Sequence, residues 1–258
     1  MTDKNTEMDI MEEDMELSSD FDTKTHPWRI CPIGTHLVRT HDLHIPPSKK
    51  HPEGSLTTRH KHCAANPSKK DVLSFEEIQE MTKMNFSNLS APPTPNVLSE
   101  FPRADEFDQY ICGWVRYWND IFNPKMPLDS NLVKALIATE SGFDPISENI
   151  VGKTHARGLM QIIVPTHEAI GDHHGELKNY LIHVKLTDLF DPSTSICIGV
   201  RWLFRKKETA SSRLHREATW IEAIEDYKSY LKDMIADKNY IPKPISHLQE
   251  YYIRLREH

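Results

Sequence analysis

From about residue 104 onward, apolar side chains recur at the helical step. Phe107, Tyr110, Ile111, Trp114, Val115 and Trp118 mark one stripe. A second helix is predicted from about Ser130 to about Ser141, with Asp129 or Ser130 as its cap and Gly142 at its end. "STSICIGVRWLFRKK" predicts a third helix, capped by Ser193 after Asp191-Pro192. "ATWIEAIEDYKSYL" predicts a fourth, with Trp220, Ala223, Ile224 and Tyr227 on one side, and "ISHLQEYYIRLRE" the last. No convincing strand interrupts this half, so the predicted fold class is mainly α.

Upstream the pattern breaks up. Residues 87–102 carry four prolines and read as a linker or as chain wrapped over the next domain. "DVLSFEEIQEMTKM" predicts a short helix with Ser74 as N-cap and Glu77 completing a capping box. Residues 26–70 hold seven of the fifteen histidines and far more basic than acidic residues. Short alternating runs there suggest small strands or hairpins. Such a block is too short and polar to bury much of itself, and a staple is the usual remedy. The expected plan is an acidic disordered tail (1–25), a small Cys/His-rich block with a short helix (26–86), a Pro-rich linker (87–103) and a helical domain (104–258).

Charge and composition narrow the function classes. The net charge of −7 gives no support for nucleic acid as the main partner, and most of the deficit sits in the first 22 residues. No run of about 18 apolar residues exists, so no membrane span is expected. The opening residues lack an apolar signal-peptide core, so the chain is expected to be made in the cytoplasm without one. The four cysteines form no CxxC pair. Cys112 and Cys197 fall in helical apolar patterns and read as buried thiols. Cys31 and Cys63 leave three readings open: a structural zinc held with His41 and His62, a disulfide, or neither.

One residue in the second helix stands apart. At about 100° per residue, Leu132, Leu136, Val133 and Ile137 define the apolar face, and Glu140 falls among them in the last turn. Burial and the negative helix end both disfavour its ionised form. A carboxylic acid kept protonated near neutral pH can serve as a general acid; a glutamate that snorkels out or pairs with an arginine such as Arg157 is the plainer reading.

The segments around Glu140 add a resemblance. "ESGFDP", "ARGLMQIIVPTHEAIGD", "LFDPSTSICIGVRWLF" and "AIEDYKSY" follow one another in the order and approximate spacing of soluble lytic transglycosylases, relatives of goose-type lysozyme. The resemblance covers roughly residues 110–232 and implies a lysozyme-like helical domain preceded by the loop-rich Cys/His block. It makes Glu140 the catalytic acid and base, with Ser141 beside it. Gly158, Leu159, Met160 and Gln161 match the stretch that floors the cleft, with Ser141, Gly158, Met160 and Gln161 as substrate-binding candidates and plain core as the reading of Leu159 and the other reading of Met160. Tyr227 matches a tyrosine that lies near the glutamate in the family. Three departures stand out: a longer stretch between Glu140 and Gln161, Lys228 in place of the asparagine after the tyrosine, and Ser195 in place of another asparagine.

The implied reaction cuts the β-1,4 bond between N-acetylmuramic acid and N-acetylglucosamine in peptidoglycan, with one carboxylate and no catalytic cofactor. The substrate's own acetamido or 6-hydroxyl group would supply the nucleophile of a transglycosylase, and water that of a muramidase. Glycan strands are the expected partner, and the basic block offers a surface for an anionic wall polymer. Action would be at the cell wall, in the periplasm or outside the cell. The expected delivery is as an antibacterial secreted effector, with an immunity protein and a secretion-apparatus carrier as further partners; a bacteriophage endolysin or a catalytically silent wall-binding module are the alternatives.

Overall fold

The computed structural model describes residues 26–49 and 52–258; the expected acidic tail lies outside them. The N-terminal block holds β1 (Thr35–Val38), β2 (His41–Ile45), β3 (Ser55–Arg59) and β4 (His62–Ala65). They pair antiparallel, β1 with β4 and β2 with β3, as the alternating runs suggested. The β2–β3 pair is exposed on both faces.

Cys31 and Cys63 are joined by a disulfide, which corrects the zinc set of Cys31, Cys63, His41 and His62. Zinc is bound by thiolates, and here both sulfurs are spent on each other. The two histidines turn away from them: His41 Nδ1 lies 2.9 Å from the Arg39 carbonyl and His62 Nδ1 2.8 Å from the His60 carbonyl. Among the described residues no group of three or more His, Cys, Asp or Glu side chains could hold a metal ion.

Next come β5 (Val72–Ser74) and α1 (Phe75–Asn85). Ser74 caps α1 as expected, its Oγ accepting from Glu77 N at 3.3 Å. The Glu77 carboxylate does not complete a capping box. It is fully buried and binds Arg29 Nε at 2.6 Å and the backbone N–H groups of Ile30 and Cys31. Arg29 also donates to Asp71 at 2.5 Å. A cation between two acids thus ties the disulfide block to α1.

The helical half begins with α2 (Asp108–Phe122) and α3 (Ser130–Glu140), the latter capped by Asp129, whose side chain accepts from Asn131 N at 2.9 Å. A small sheet follows: β6 (Glu148–Val151), β7 (Thr154–Arg157) and β8 (Ile162–Ile163), all antiparallel. Then come α4 (Val164–Gly171), β9 (Leu181–His183), a 3-10 turn (Leu186–Phe190), α5 (Pro192–Leu214), α6 (Trp220–Tyr227), α7 (Leu231–Ala236) and α8 (Lys243–Glu257). The expectation of no strand in this half is corrected by four strands of two to four residues, too short to show a period. The α5 cap is Asp191, not Ser193: the Asp191 carboxylate accepts from Thr194 N at 2.8 Å and Pro192 occupies the first turn.

The long helix α5 runs through the core, with Ile196, Cys197, Ile198, Val200 and Leu203 wholly buried against α1, α2 and α6. Two α2 tryptophans satisfy their indole N–H groups on it, Trp114 to Ser193 Oγ at 2.8 Å and Trp118 to the Cys197 carbonyl at 3.0 Å. Cys112 and Cys197 are free and buried. Residues 87–103 lie against the helices: Arg254 donates to the Val97 carbonyl, and Lys134 on α3 reaches the Thr94 carbonyl at 3.0 Å. The N-terminal block joins the same body, because β5 pairs in parallel with β9, Val72 beside Leu181 and Ser74 beside His183. Eight helices among the described residues against short strands give a mainly α fold. No helix among them is long and apolar enough to cross a membrane.

Candidate active site

Helix α3 delivers Glu140 because its apolar face continues to its last residue. Leu132, Val133, Leu136 and Ile137 on that face are buried, and Ser141, with its N–H bonded to the Ile137 carbonyl at 3.0 Å, ends the helix. Gly142 and Phe143 then take positive φ of 59° and 66° and turn the chain away. The Glu140 carboxyl opens into a cavity of about 390 Å³. Thr139 joins it from α3, Asn149 from β6, Ala156 from β7, Thr166 from α4, Trp202 from α5 and Pro244 from α8; Gln161, Ile162 and the 227–230 stretch complete the wall. Among the described lining residues Glu140 is the sole carboxylate.

The Glu140 side chain is 14% exposed, and Lys228 Nζ, on a side chain only 7% exposed, sits 2.6 Å from Oε1. Burial holds the carboxyl above the usual carboxylate range, against the opposing pull of the Lys228 ammonium. Among the described residues the hydrogen bond to this carboxyl falls on Oε1. The plainer expectation of a pairing with Arg157 is corrected: Arg157 donates to Glu148 at 2.8 Å across the β6–β7 hairpin.

Tyr227, at the end of α6, lines the same cavity, but its hydroxyl is committed to the Met160 carbonyl at 2.6 Å. Burial first, then the Glu140 charge, pushes that phenol well up, so it stays an O–H donor. Gln161 also lines the cavity, at φ 47°, a left-handed conformation. Its Nε2 donates to the carbonyls of Gly158 at 2.9 Å and Ser147 at 3.2 Å, and its Oε1 accepts from Asn149 Nδ2 at 2.7 Å. All of its polar atoms therefore brace the wall.

Three further candidates, Met160, Gly158 and Ser141, stand outside the cavity lining, and Met160 takes the core position that was its other reading. Met160 is fully buried, its side chain pressed on Gly199 of α5, where only a glycine leaves room for it. Gly158 does not line the cavity. It has φ 73°, and a Cβ there would stand 2.0 Å from the Leu189 carbonyl oxygen, so it is a close-packing glycine. Ser141 Oγ turns back to the Ile137 carbonyl at 3.4 Å instead of joining the wall.

Each departure noted in the sequence has a structural account. The longer stretch after Glu140 forms the β6–β7 hairpin that brings Asn149 to the cavity. Ser195 Oγ accepts from Met160 N at 3.1 Å and braces the Gly158–Gln161 turn. Lys228 pairs with Glu140. Sequence reasoning missed Asn149, Thr166, Trp202 and Tyr230 as lining residues. Trp202 shares its helix with core residues, so its period carried no distinguishing signal; the "YKSY" run was the one visible cue for Tyr230.

No curated protein matches the chain in sequence. Residues 122–229 match the family model of the Transglycosylase SLT domain, a span that contains Glu140, the Gly158–Gln161 turn, α5, α6 and Lys228. The matched span, 108 of the 258 residues, is similar to that family and supplies most of the cavity wall, with Tyr230 and Pro244 lying beyond it.

Proposed function

We propose that the protein cleaves peptidoglycan glycan strands at the β-1,4 bond between N-acetylmuramic acid and N-acetylglucosamine, with Glu140 as general acid and then general base. The observation that carries this is the lone Glu140 carboxyl at the cavity wall, nearly buried and held above the usual carboxylate range. Such a group keeps its proton long enough to give it to a glycosidic oxygen as the sugar develops oxocarbenium character. One carboxylate suits a reaction in which the substrate's acetamido or 6-hydroxyl group supplies the nucleophile, so a lytic transglycosylase making a 1,6-anhydro end is favoured over a muramidase. Tyr227 holds the end of α6 on the Met160 carbonyl and so positions the acid.

The disulfide Cys31–Cys63 supports an oxidising place of action such as the periplasm or the cell exterior. It accords with an antibacterial effector that needs a secretion-apparatus carrier and, in the producing cell, an immunity protein; an endolysin released by a bacteriophage is the other route.

Purified peptidoglycan treated with wild type and with Glu140→Gln tests the reading. Clearing by wild type alone is expected, and mass spectrometry of the released muropeptides separates anhydro from reducing ends. The Lys228–Glu140 pair favours one second reading, a silent wall-binding module whose acid is tied up. In that case both proteins bind the polymer and neither clears it.

A further inference from the structure

Lys228 is one of the three places where this chain leaves the family pattern, and its ammonium lies 2.6 Å from the proposed acid. Its ammonium and the Glu140 carboxyl are both nearly buried, 2.6 Å apart, at the wall of the cavity. The contact engages Oε1. Every other element packed around the carboxyl presents uncharged groups: Thr139, Asn149, Gln161, Thr166 and Trp202, and the phenols of Tyr227 and Tyr230. Among the described residues that line the cavity no second charge competes with Lys228 for control of this acid.

Resting on the glycosidase reading above, we propose that Lys228 is a positioning residue of the reaction, acting through Glu140. It selects the oxygen that carries the proton and sets the pH at which that proton is surrendered. In the first half, the Oε2–H proton goes to the glycosidic oxygen as the C1–O bond breaks and its electron pair moves to that oxygen. The new carboxylate keeps its bond to the Lys228 ammonium through Oε1. In the second half, a hydroxyl of the substrate or water attacks C1, and its proton returns to Oε2. An asparagine at this place could supply the hydrogen bond without the charge. The lysine adds a nearby cation, which favours the ionised acid and so moves the fall of activity to lower pH.

The test compares wild type, Lys228→Met, Lys228→Asn and Lys228→Arg on soluble glycan strands between about pH 4 and pH 9, with Glu140→Gln as control. The Glu140 carboxyl is also followed by NMR titration, which needs no turnover. Removing the charge (Met or Asn) is expected to move the high-pH limb of kcat/KM, and the NMR midpoint, up by roughly one to two pH units. Arg is expected to hold both near wild type. Met is expected to lower kcat about tenfold with little change in KM, and Asn, which keeps a hydrogen-bond donor, to lower it less. Should Met fail to fold, Asn against Arg carries the comparison. Wild-type midpoints in the Met and Asn variants, with Glu140→Gln inactive, overturn the role of Lys228 alone. A Glu140→Gln protein as active as wild type overturns the glycosidase reading on which it rests.

Discussion

Gly158 shows how a residue that never touches the cavity can govern it. Its φ of 73° and the approach of the Leu189 carbonyl leave no room for a Cβ. Gly158→Ala therefore combines left-handed strain with overpacking, a cost of about 3 kcal/mol or more. A thermal melt is expected to show the loss, and it is expected to displace Gln161, which leans on the Gly158 carbonyl. Glu140 makes a different prediction. Because burial raises its folded pKa, the protonated, donating form persists above the ordinary carboxylate range, so kcat/KM is expected to fall as pH rises through that raised value. The sign extends to stability: the native state holds this proton more tightly than the unfolded chain, so its contribution is full below the unfolded value and is lost as pH rises through the folded one. The placement of Glu140 was readable because the angle of one residue on one helix follows from counting. The hydrogen bonds of Tyr227 and Gln161 were not, since they run to backbone carbonyls that only the folded turn brings within reach.

At the scale of elements, the pieces that sequence periodicity found are those long enough to show a period: α2, α3, α5, α6 and α8. The strands β6 to β9 run only two to four residues and carried no signal. Partnering was also hidden. Glu77 has the spacing of a capping box, yet Arg29, forty-eight positions away, claims its carboxylate. Arg29→Ala leaves Asp71 and Glu77 buried without their cation, at a cost of about 3–5 kcal/mol. Chemical denaturation measures that cost, and limited proteolysis is expected to show the block detaching from α1. Lys134 poses the same problem on α3: it has no exposure and is held by Asp105 at 2.6 Å and Asp108 at 2.9 Å. His26, packed on Tyr117 and bonded to Asp120 at 3.2 Å, is held below its ordinary value of 6.5, chiefly by burial. The unfolded chain therefore binds this proton more readily than the native one. The contribution of His26 is present above the ordinary value and is lost as pH falls, so the thermal midpoint is expected to drop on the acid side, and His26→Gln is expected to flatten that slope.

At the scale of the molecule, the span that matches the family is not the whole physical unit. Phe86, from the chain before α2, lies on Gly113 so closely that a Cβ there would stand 2.4 Å from its ring. Trp28 packs on Phe86 in turn, with ring centres 5.3 Å apart. A chain cut to residues 104–258 loses these rings and β5, and is expected to show no cooperative unfolding transition by calorimetry. Reducing the Cys31–Cys63 bond in the intact chain is expected to cost about 2–4 kcal/mol, read as a lower melting temperature in dithiothreitol. The parallel pairing of β5 with β9 has a consequence for biosynthesis. The neighbouring contact between Asp71 N and Asn179 spans 108 positions. The earlier strand therefore emerges from the ribosome and waits, its partner strand unmade, while the 108 positions up to Asn179 are translated. The decisive pairing of this domain therefore waits on late synthesis, and during that interval the nascent polypeptide is exposed to chaperones and to aggregation.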